Sequence, residues 1–161
     1  MEKIAVIGGG AAGMMASIFA ARRGMEVHVY EKNEKTGKKL YITGKGRCNL
    51  TNACDMEELL ESVKSNKKFL YSAFYGFTNQ DAYDFFEAEG VKLKVERGNR
   101  VFPMSDRSAD VLDALRRAMR SAGVQVHLNT EVKSVRKQED GFTLQLADKT
   151  LEQTDKVIVA T

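Results

Sequence analysis

Residues 4–13 read IAVIGGGAAG, and residues 27–31 read VHVYE. The short apolar run before the glycines is typical of a β-strand that is buried on both faces. Three glycines then follow the G-x-G-x-x-G spacing of a dinucleotide-binding turn: Gly8, Gly10 and Gly13. The two stretches together predict a βαβ unit over residues 3–31 that holds an adenine dinucleotide.

Each of these glycines has its own expected task. Gly8 permits the tight turn from strand to helix, and Gly13 allows the helix to pack closely on the strand. Gly10 lets the backbone approach a pyrophosphate without a Cβ atom in the way. The phosphates then lie on free N–H groups at the start of the helix, where the macrodipole contributes roughly half a positive charge.

Glu31 ends the second apolar run, about 20 residues beyond the glycines. An acidic side chain at this place accepts hydrogen bonds from the two hydroxyls of an adenosine ribose and disfavours a 2′-phosphate. We therefore predict a non-phosphorylated dinucleotide. A glycine-rich turn in another kind of α/β protein is the alternative structural interpretation.

Composition and charge narrow the class of protein. The chain has 161 residues, 43% of them hydrophobic, and no apolar stretch near the roughly 20 residues that a membrane helix needs. Its net charge of +3 is too small to argue for a nucleic-acid partner. Cys48 and Cys54 lack metal-ligand spacing, and a reducing compartment keeps both as thiols. We therefore expect a cytoplasmic protein with no metal site and no membrane or nucleic-acid partner.

The segment after the second strand is rich in positive charge. Only Glu34 opposes six basic residues: Lys32, Lys35, Lys38, Lys39, Lys45 and Arg47. For Lys32 and Lys35 a solvated loop is the preferred interpretation. Residues 38–52 combine glycines with small polar side chains, so they offer backbone donors to a pyrophosphate or a flavin ring edge, with Arg47 as a permanent charge.

Beyond this loop the pattern is helical. Within residues 55–121, helices are predicted over four ranges: 55–65, 67–75, 81–89 and 108–121. Asp55 and Asn79 are the expected caps of the first and third of these helices. A short strand is expected at 91–95.

The chain then returns to strands over residues 124–155. Residues 124–128 are predicted to form a third parallel strand. An antiparallel meander follows over three ranges: 132–137, 142–146 and 151–155. Residues 156–161 form a final buried strand. Because no helix follows to cover that strand, we expect the chain to be the front part of a longer protein.

Three stretches resemble the flavoprotein family that includes aminoacetone oxidase and 3-dehydro-bile-acid reductase. They are residues 37–52 (GKKLYITGKGRCNLTN), 100–111 (RVFPMSDRSADV) and 154–161 (TDKVIVAT). The T-G-x-G-R-C-N-x-T-N run is highly specific, and the resemblance covers the whole chain. It implies an α/β fold, namely a Rossmann-like FAD-binding domain of glutathione-reductase type, with a parallel sheet, a β-meander and an incomplete C-terminus. The resemblance also implies that the isolated 161 residues are inactive.

The resemblance further implies roles for individual residues. The FAD pyrophosphate is expected at the glycine-rich turn and helix start: Gly8, Gly10, Ala11, Ala12 and Gly13. Glu31 is expected on the adenosine ribose with Lys32 beside it, and the backbone of Val132 at the adenine edge. The pyrophosphate, ribityl chain and flavin are expected to be lined by Lys39, Gly44, Gly46, Arg47, Cys48 and Asn49. Ala160 and Thr161 stand at the edge of a cofactor-binding motif that family members continue as A-T-G-G.

The chain is thus interpreted as the FAD-binding part of an oxidoreductase that moves a hydride or electrons to or from a small organic substrate. NAD(P)H is a candidate electron donor. No catalytic residue is assigned, because His28 and His127 fall in predicted strands, where a structural histidine is the preferred interpretation. The oligomeric state is left open.

Two alternative functions remain open. One is a flavin-dependent disulfide oxidoreductase that uses Cys48 and Cys54, although their spacing differs from that of enzymes resembling glutathione reductase. The other is a non-catalytic NAD-binding module, which the predicted meander disfavours because simple NAD domains continue βαβ winding there.

Overall fold

A parallel sheet of four strands carries the glycine-rich turn. In pairing order its strands are β10 (Lys156–Val159), β1 (Lys3–Ile7), β2 (Glu26–Tyr30) and β6 (Gln125–His127). Strand β1 pairs on both sides, and Ile4, Ala5 and Val6 are buried. A central strand with both faces covered needs apolar residues throughout, so the run IAVI does not alternate. The predicted Rossmann-like α/β fold is confirmed.

The computed structural model describes residues 1–161, which divide into two compact units. Met1–Leu40 and Leu115–Thr161 form the first, which we call the Rossmann unit. Tyr41–Ala114 form the second, which we call the middle unit.

Helix α1 (Ala11–Arg22) follows β1 in the Rossmann unit and packs against β1 and β2. Its buried face consists of Gly13, Met14, Ser17 and Ile18. Just beyond the end of the helix, Gly24 adopts the left-handed conformation at φ +83° that is typical of a helix C-terminus.

The predicted β-meander is present in the same unit. Its antiparallel strands are β7 (Val132–Gln138), β8 (Gly141–Leu146) and β9 (Leu151–Thr154). Leu144 and Leu146 of β8 form a buried cluster with Ala5 and Tyr30 of the parallel sheet. The meander therefore packs on the sheet through an apolar core.

The middle unit contains short helices around a small antiparallel sheet. Helix α2 (Lys38–Ile42) leads into it, and α6 (Ser108–Ser121) leads out of it. The elements between them are β3 (Thr51–Asn52), α3 (Met56–Glu61), α4 (Lys67–Gly76), α5 (Asn79–Ala88), β4 (Leu93–Glu96) and β5 (Arg100–Pro103). The sheet has the order β3-β5-β4. Sequence reasoning predicted one strand here and missed β3 and β5, because short strands with distant partners leave little periodicity.

Two local predictions need correction. The prediction that Asn79 caps α5 was wrong: Thr78 is the cap, and its side chain forms a capping box with Asp81. The Asn79 amide instead donates to the carbonyl oxygens of Asn52 and Cys54. Asp55 does cap α3, as predicted, although that helix ends at Glu61.

None of the helices combines the length and the apolar character that crossing a membrane requires.

Candidate functional site

The glycine-rich turn of the Rossmann unit leaves backbone donors available at the start of α1. Gly10 is the N-cap residue, with extended backbone angles and no side-chain cap, and the first turn contains no acidic residue. The first helical hydrogen bond runs from the Met14 N–H to the Gly10 carbonyl oxygen at 2.9 Å. The earlier N–H groups of the turn have no acceptor within the helix, and such groups bind phosphate well.

The three motif glycines meet different surroundings. A Cβ atom on Gly13 would lie 1.9 Å from the Gly8 carbonyl oxygen, and one on Gly8 would lie 2.6 Å from the Ala160 carbonyl oxygen. A Cβ atom on Gly10 would meet no atom within 4 Å. Gly8 and Gly13 are therefore required by packing between backbone segments, whereas Gly10 borders open space.

Glu31 links the end of β2 to this turn. Its buried carboxylate accepts a hydrogen bond from the Gly9 N–H at 2.8 Å through Oε2. Its Oε1 accepts from the Asn33 backbone N–H at 2.8 Å and from the Asn33 side-chain amide at 2.6 Å. An ionised carboxylate offers about four acceptor sites, so these three bonds leave capacity for a ribose hydroxyl.

Sequence reasoning missed three residues that support the turn. A Cβ atom on Gly9 would lie 2.9 Å from Thr36 Cγ2, and the Gly9 carbonyl accepts from the Gly37 N–H at 2.9 Å. Arg116 donates to the Thr36 carbonyl at 3.0 Å and to the Thr36 hydroxyl at 3.3 Å. The position of Gly9 in a run of three glycines was an available signal. Arg116 gave no such signal, because it lies 80 residues from Thr36 along the chain.

The structure also brings the end of the chain to the turn. The Ala160 N–H donates to the Ile7 carbonyl at 2.9 Å, and Ala160 and Thr161 both border Gly8. Val132 begins β7, pairs with Leu146 and packs against the buried cluster. Lys32 and Lys39 are both exposed to solvent.

The predicted flavin loop, residues 37–52, lies in the middle unit from Tyr41 onward and contains several left-handed residues. Four of them fall at or near the motif glycines: Gly44, Lys45, Gly46 and Cys48. Residues 43–46 form a tight turn in which Gly44 and Lys45 have left-handed backbone angles, and a Cβ atom on Gly44 would lie 3.0 Å from the Asn49 nitrogen. Glycine at 44 therefore allows the turn to fold tightly onto the following backbone.

The charge of Arg47, which the sequence analysis offers to a pyrophosphate or flavin, is paired within the middle unit. Its guanidinium forms ion pairs with Glu96 and, at 2.6 Å, with Asp106, and it lies 4.2 Å above the Phe102 ring. These hydrogen bonds raise the pKa of Arg47 and lower the pKa of Glu96. A hydrogen bond from Lys94, followed by the one from Arg47, lowers the pKa of Asp106. The partners are 49 and 59 residues away, so the local sequence did not reveal them.

The two cysteines are free thiols, with Cys48 buried and Cys54 partly exposed. Burial is the main cause that raises the pKa of each thiol above its usual value. A redox-active cysteine needs a lowered pKa because the thiolate is the reactive form. The environment of both residues therefore disfavours a disulfide oxidoreductase.

The two histidines contact each other within the Rossmann unit. His28 Nδ1 lies 2.9 Å from His127 Nε2, and His28 Nε2 lies 3.0 Å from Glu26 Oε1. The Tyr30 ring stacks on His127 with centroids 4.9 Å apart, and burial raises the pKa of Tyr30 to about 12. Burial, followed by the charge of His28, lowers the pKa of His127. This network holds β2 against β6, which is a structural arrangement.

The fold and the glycine-rich turn define a Rossmann-like domain of the kind found in flavin-dependent oxidoreductases. Residues 2–161 match the family described as HI0933-like protein, Rossmann domain, and the chain belongs to this family. The match confirms the resemblance drawn from the sequence.

Two relatives match over nearly the whole chain. The 3-dehydro-bile acid delta(4,6)-reductase of Clostridium scindens is 33% identical over 99% of this chain and 39% of its own length. The ribosomal RNA dihydrouridine synthase of Escherichia coli is 33% identical over 97% of this chain and 38% of its own length. The chain thus spans about two fifths of the length of these relatives.

Solved structures share the fold at low sequence identity. THI4 of Thermovibrio ammonificans aligns with a TM-score of 0.64 and 12% identity, over 99% of this chain and 57% of that one. Glycine oxidase of Bacillus cereus aligns with a TM-score of 0.56 and 16% identity, over 99% and 55% of the two chains. At this identity the likeness shows the fold alone.

The prediction that nucleic acid is not a partner was wrong, because it is contradicted by relatives of this chain. Relatives from Escherichia coli and Haemophilus influenzae are both named ribosomal RNA dihydrouridine synthase. The expectation rested on the net charge of +3, which averages over the whole surface and conceals local clusters of positive charge.

Proposed function

We propose that this chain is the FAD-binding part of a flavin-dependent oxidoreductase. One observation carries the proposal: the open space at Gly10 adjoins the uncapped start of α1, while the neighbouring motif glycines are packed tightly. This is the arrangement that a pyrophosphate fits, because its oxygens need both close backbone approach and free N–H donors.

We propose FAD contacts for six residues of the Rossmann unit. The N–H groups of Ala11, Ala12 and Gly13 bind the pyrophosphate, and the remaining acceptor capacity of Glu31 binds the adenosine ribose. Exposed Lys32 and Lys39 contribute positive charge near the phosphates. Flavin, when bound, supplies hydride and electron transfer.

Three further tasks rest on the resemblance. We propose that the backbone of Val132 contacts the adenine edge, and that Ala160 and Thr161 border the cofactor next to Gly8. We also propose that the backbone of Gly44, Gly46, Cys48 and Asn49 lines the flavin. Because Arg47 is held by two carboxylates, we assign stabilisation of the reduced flavin to backbone N–H donors of this loop and give Arg47 the task of shaping it.

We propose reduction of a carbon–carbon double bond conjugated to a carbonyl as the reaction class. The name of the Clostridium scindens relative denotes a ketone conjugated to two double bonds, and dihydrouridine is uridine whose conjugated ring double bond has been reduced. In the proposed reaction a hydride is added to the bond carbon remote from the carbonyl and a proton to its neighbour. NAD(P)H is the proposed source of the electrons.

Nucleotide release tests the cofactor assignment. We would purify the full-length protein, denature it, and identify the released nucleotide by mass and by absorbance near ~450 nm. FAD is expected from the wild type and not from Gly10→Ala, whose added Cβ enters the space that the pyrophosphate needs. NAD instead of FAD would favour the nucleotide-binding module and overturn the proposal.

Glu31→Ala tests the ribose contact in the same assay. We expect FAD affinity to fall by roughly 1.5–3 kcal/mol, the usual worth of a hydrogen bond to a charged group. Glu34→Ala is the matched control, since Glu34 is exposed and pairs with Lys38. Equal affinities of wild type and Glu31→Ala would show that Glu31 does not bind the ribose.

The reaction class is tested by anaerobic reduction. We expect NADH or NADPH to bleach the flavin band near ~450 nm and an α,β-unsaturated ketone or uridine substrate to restore it. Restoration by a disulfide substrate, with loss in Cys48→Ser, would favour the disulfide oxidoreductase instead.

A further inference from the structure

The hydrogen bonds of the Glu31 carboxylate are divided unequally between its two oxygens. Oε1 accepts from both the backbone N–H and the side-chain amide of Asn33. Oε2 accepts from the Gly9 N–H alone. Each oxygen of an ionised carboxylate offers about two acceptor sites. One acceptor site therefore remains on Oε2, and none remains on Oε1.

The bond from Gly9 to Oε2 is fixed by the surroundings of the glycine. The Gly9 carbonyl oxygen accepts from the Gly37 N–H at 2.9 Å, so the peptide group that follows Gly9 is held as well. Thr36 packs against Gly9, with its Cγ2 atom 2.9 Å from the place of a Cβ atom, and Arg116 in turn holds Thr36 through hydrogen bonds. The Gly9 N–H cannot turn away from Glu31 without loss of these contacts.

The backbone of residues 31–33 is fixed in the same way by the segment after β6. The Glu31 N–H donates to the His127 carbonyl at 2.9 Å, and the Thr130 N–H donates to the Glu31 carbonyl at 2.9 Å. The Asn129 N–H donates to the Asn33 carbonyl at 3.0 Å. These bonds tie residues 31–33 to residues 127–130, so the backbone N–H of Asn33 stays on Oε1.

The side chain of Asn33 takes the second acceptor site of Oε1. Its amide nitrogen donates to the Glu31 carboxylate at 2.6 Å, and its amide oxygen lies 3.5 Å from Lys38 Nζ. Because Lys38 is only a donor, it favours the orientation in which the amide nitrogen faces Glu31. Hydrogen bonds to a charged acceptor are stronger than neutral ones, and Glu31 is buried, so water competes little for this site.

We infer that Asn33 is a positioning residue that limits Glu31 to a single hydroxyl of the adenosine ribose, bound at Oε2. The motif by itself predicts contacts to two hydroxyls. The inference rests on the proposed function and refines its ribose contact. Asn33 acts on the cofactor through Glu31, because its side chain occupies the acceptor site that a second hydroxyl needs. Asn33→Ala returns that site to Oε1 and keeps the backbone N–H bond.

Nucleotides that lack one ribose hydroxyl test the inference on the wild type. Titration calorimetry measures the affinities of ADP, 2′-deoxy-ADP and 3′-deoxy-ADP for the full-length protein after removal of FAD, and rebinding of FAD checks the same preparation. We expect one deoxy compound to bind about tenfold or more weakly than ADP, as when a hydrogen bond to a charged group is lost, and the other to bind within about twofold of ADP. In Glu31→Ala this difference should disappear.

Asn33→Ala should change the pattern of the three affinities. We expect both deoxy compounds to bind this variant about tenfold or more weakly than ADP, because a second hydroxyl then reaches Oε1. Gln80→Ala is the matched control, since the exposed Gln80 amide also donates to a carboxylate, that of Asp84, at 2.8 Å. It should keep the wild-type pattern. A general loss of stability weakens all three nucleotides alike and does not alter their ratios.

Two results would overturn the inference: equal affinities of the two deoxy compounds for the wild type, or the wild-type pattern in Asn33→Ala. The wild-type comparison holds whether or not Asn33→Ala folds. FAD rebinding together with equal affinities of the deoxy compounds would leave the proposed function standing and overturn this inference. The expected ADP pattern without FAD rebinding would do the reverse, and a protein that binds neither ADP nor FAD would overturn both.

Discussion

Gly10 and Gly13 are three positions apart in one motif, yet the structure constrains them in different ways. At Gly13 the fold itself requires the absence of a Cβ atom, since the carbonyl oxygen of Gly8 occupies that place. At Gly10 the protein leaves the space open. Because Gly10 lies in the dinucleotide-binding motif, this open space fits a pyrophosphate that approaches the backbone there.

The first prediction compares these two positions. Gly13→Ala should lower the free energy of unfolding by about 3 kcal/mol or more, at the upper end for overpacking, because a backbone atom cannot move aside easily. Gly10→Ala should change it by less than about 0.5 kcal/mol. Urea unfolding of the cofactor-free proteins measures both. Similar losses in the two variants would contradict the packing argument.

A second prediction at this scale concerns Cys48. Because the side chain is buried and its pKa is raised, we expect slow alkylation at neutral pH, limited by unfolding, and faster alkylation of Cys54. Peptide mass mapping after timed treatment with iodoacetamide measures both rates. Prior treatment with a reductant should change neither rate; faster labelling of both cysteines after reduction would indicate a disulfide.

At the scale of elements, β2 and β6 are joined by side chains as well as by backbone pairing. His28 and His127 share a hydrogen bond across the two strands. The other ring nitrogen of His28, Nε2, is hydrogen-bonded to the Glu26 carboxylate. The edge strand β6 pairs with β2 over only three residues, so its backbone hydrogen bonds stabilise this edge of the sheet only slightly. The side-chain contacts therefore add to the stability of the edge.

A pH prediction follows from the lowered pKa of His127. The unfolded state binds a proton more readily than the folded state, so stability is complete above the unfolded pKa of about 6.5 and is lost as the pH falls below it. We expect the urea midpoint to drop between pH 7.5 and 5.5, and to drop less in His127→Gln. An equal drop in the variant would assign the dependence to other groups.

At the scale of the whole molecule, cofactor binding and folding should be coupled. FAD that binds only the folded protein stabilises it by about 2.7 kcal/mol at a hundredfold excess over Kd. We therefore expect the Tm of the cofactor-free full-length protein to rise with FAD concentration, and the Tm of Gly10→Ala to stay constant. NAD at the same concentrations is the comparison, and an equal rise with NAD would contradict FAD as the preferred ligand.

The elements with strong periodicity were predictable from sequence. The βαβ unit, the meander and the final parallel strand all follow from runs of local residues, because a buried strand, an alternating strand and a glycine cap each have a local signature. The middle unit was harder. Strands β3 and β5 are short, and β3 pairs with a strand about fifty residues away, so their partners are set by packing.

The sequence by itself determined the family, the parallel sheet and the glycine-rich turn, because these depend on backbone conformation and on the order of apolar residues. Only the tertiary structure decided how charged and polar side chains are used. It paired Arg47 with two distant carboxylates, bonded Glu31 to the Gly9 N–H, and left Tyr71 and Tyr75 uncovered. Hydrogen bonds and ion pairs form between residues that folding brings together, and their separation along the chain carries no record of that contact.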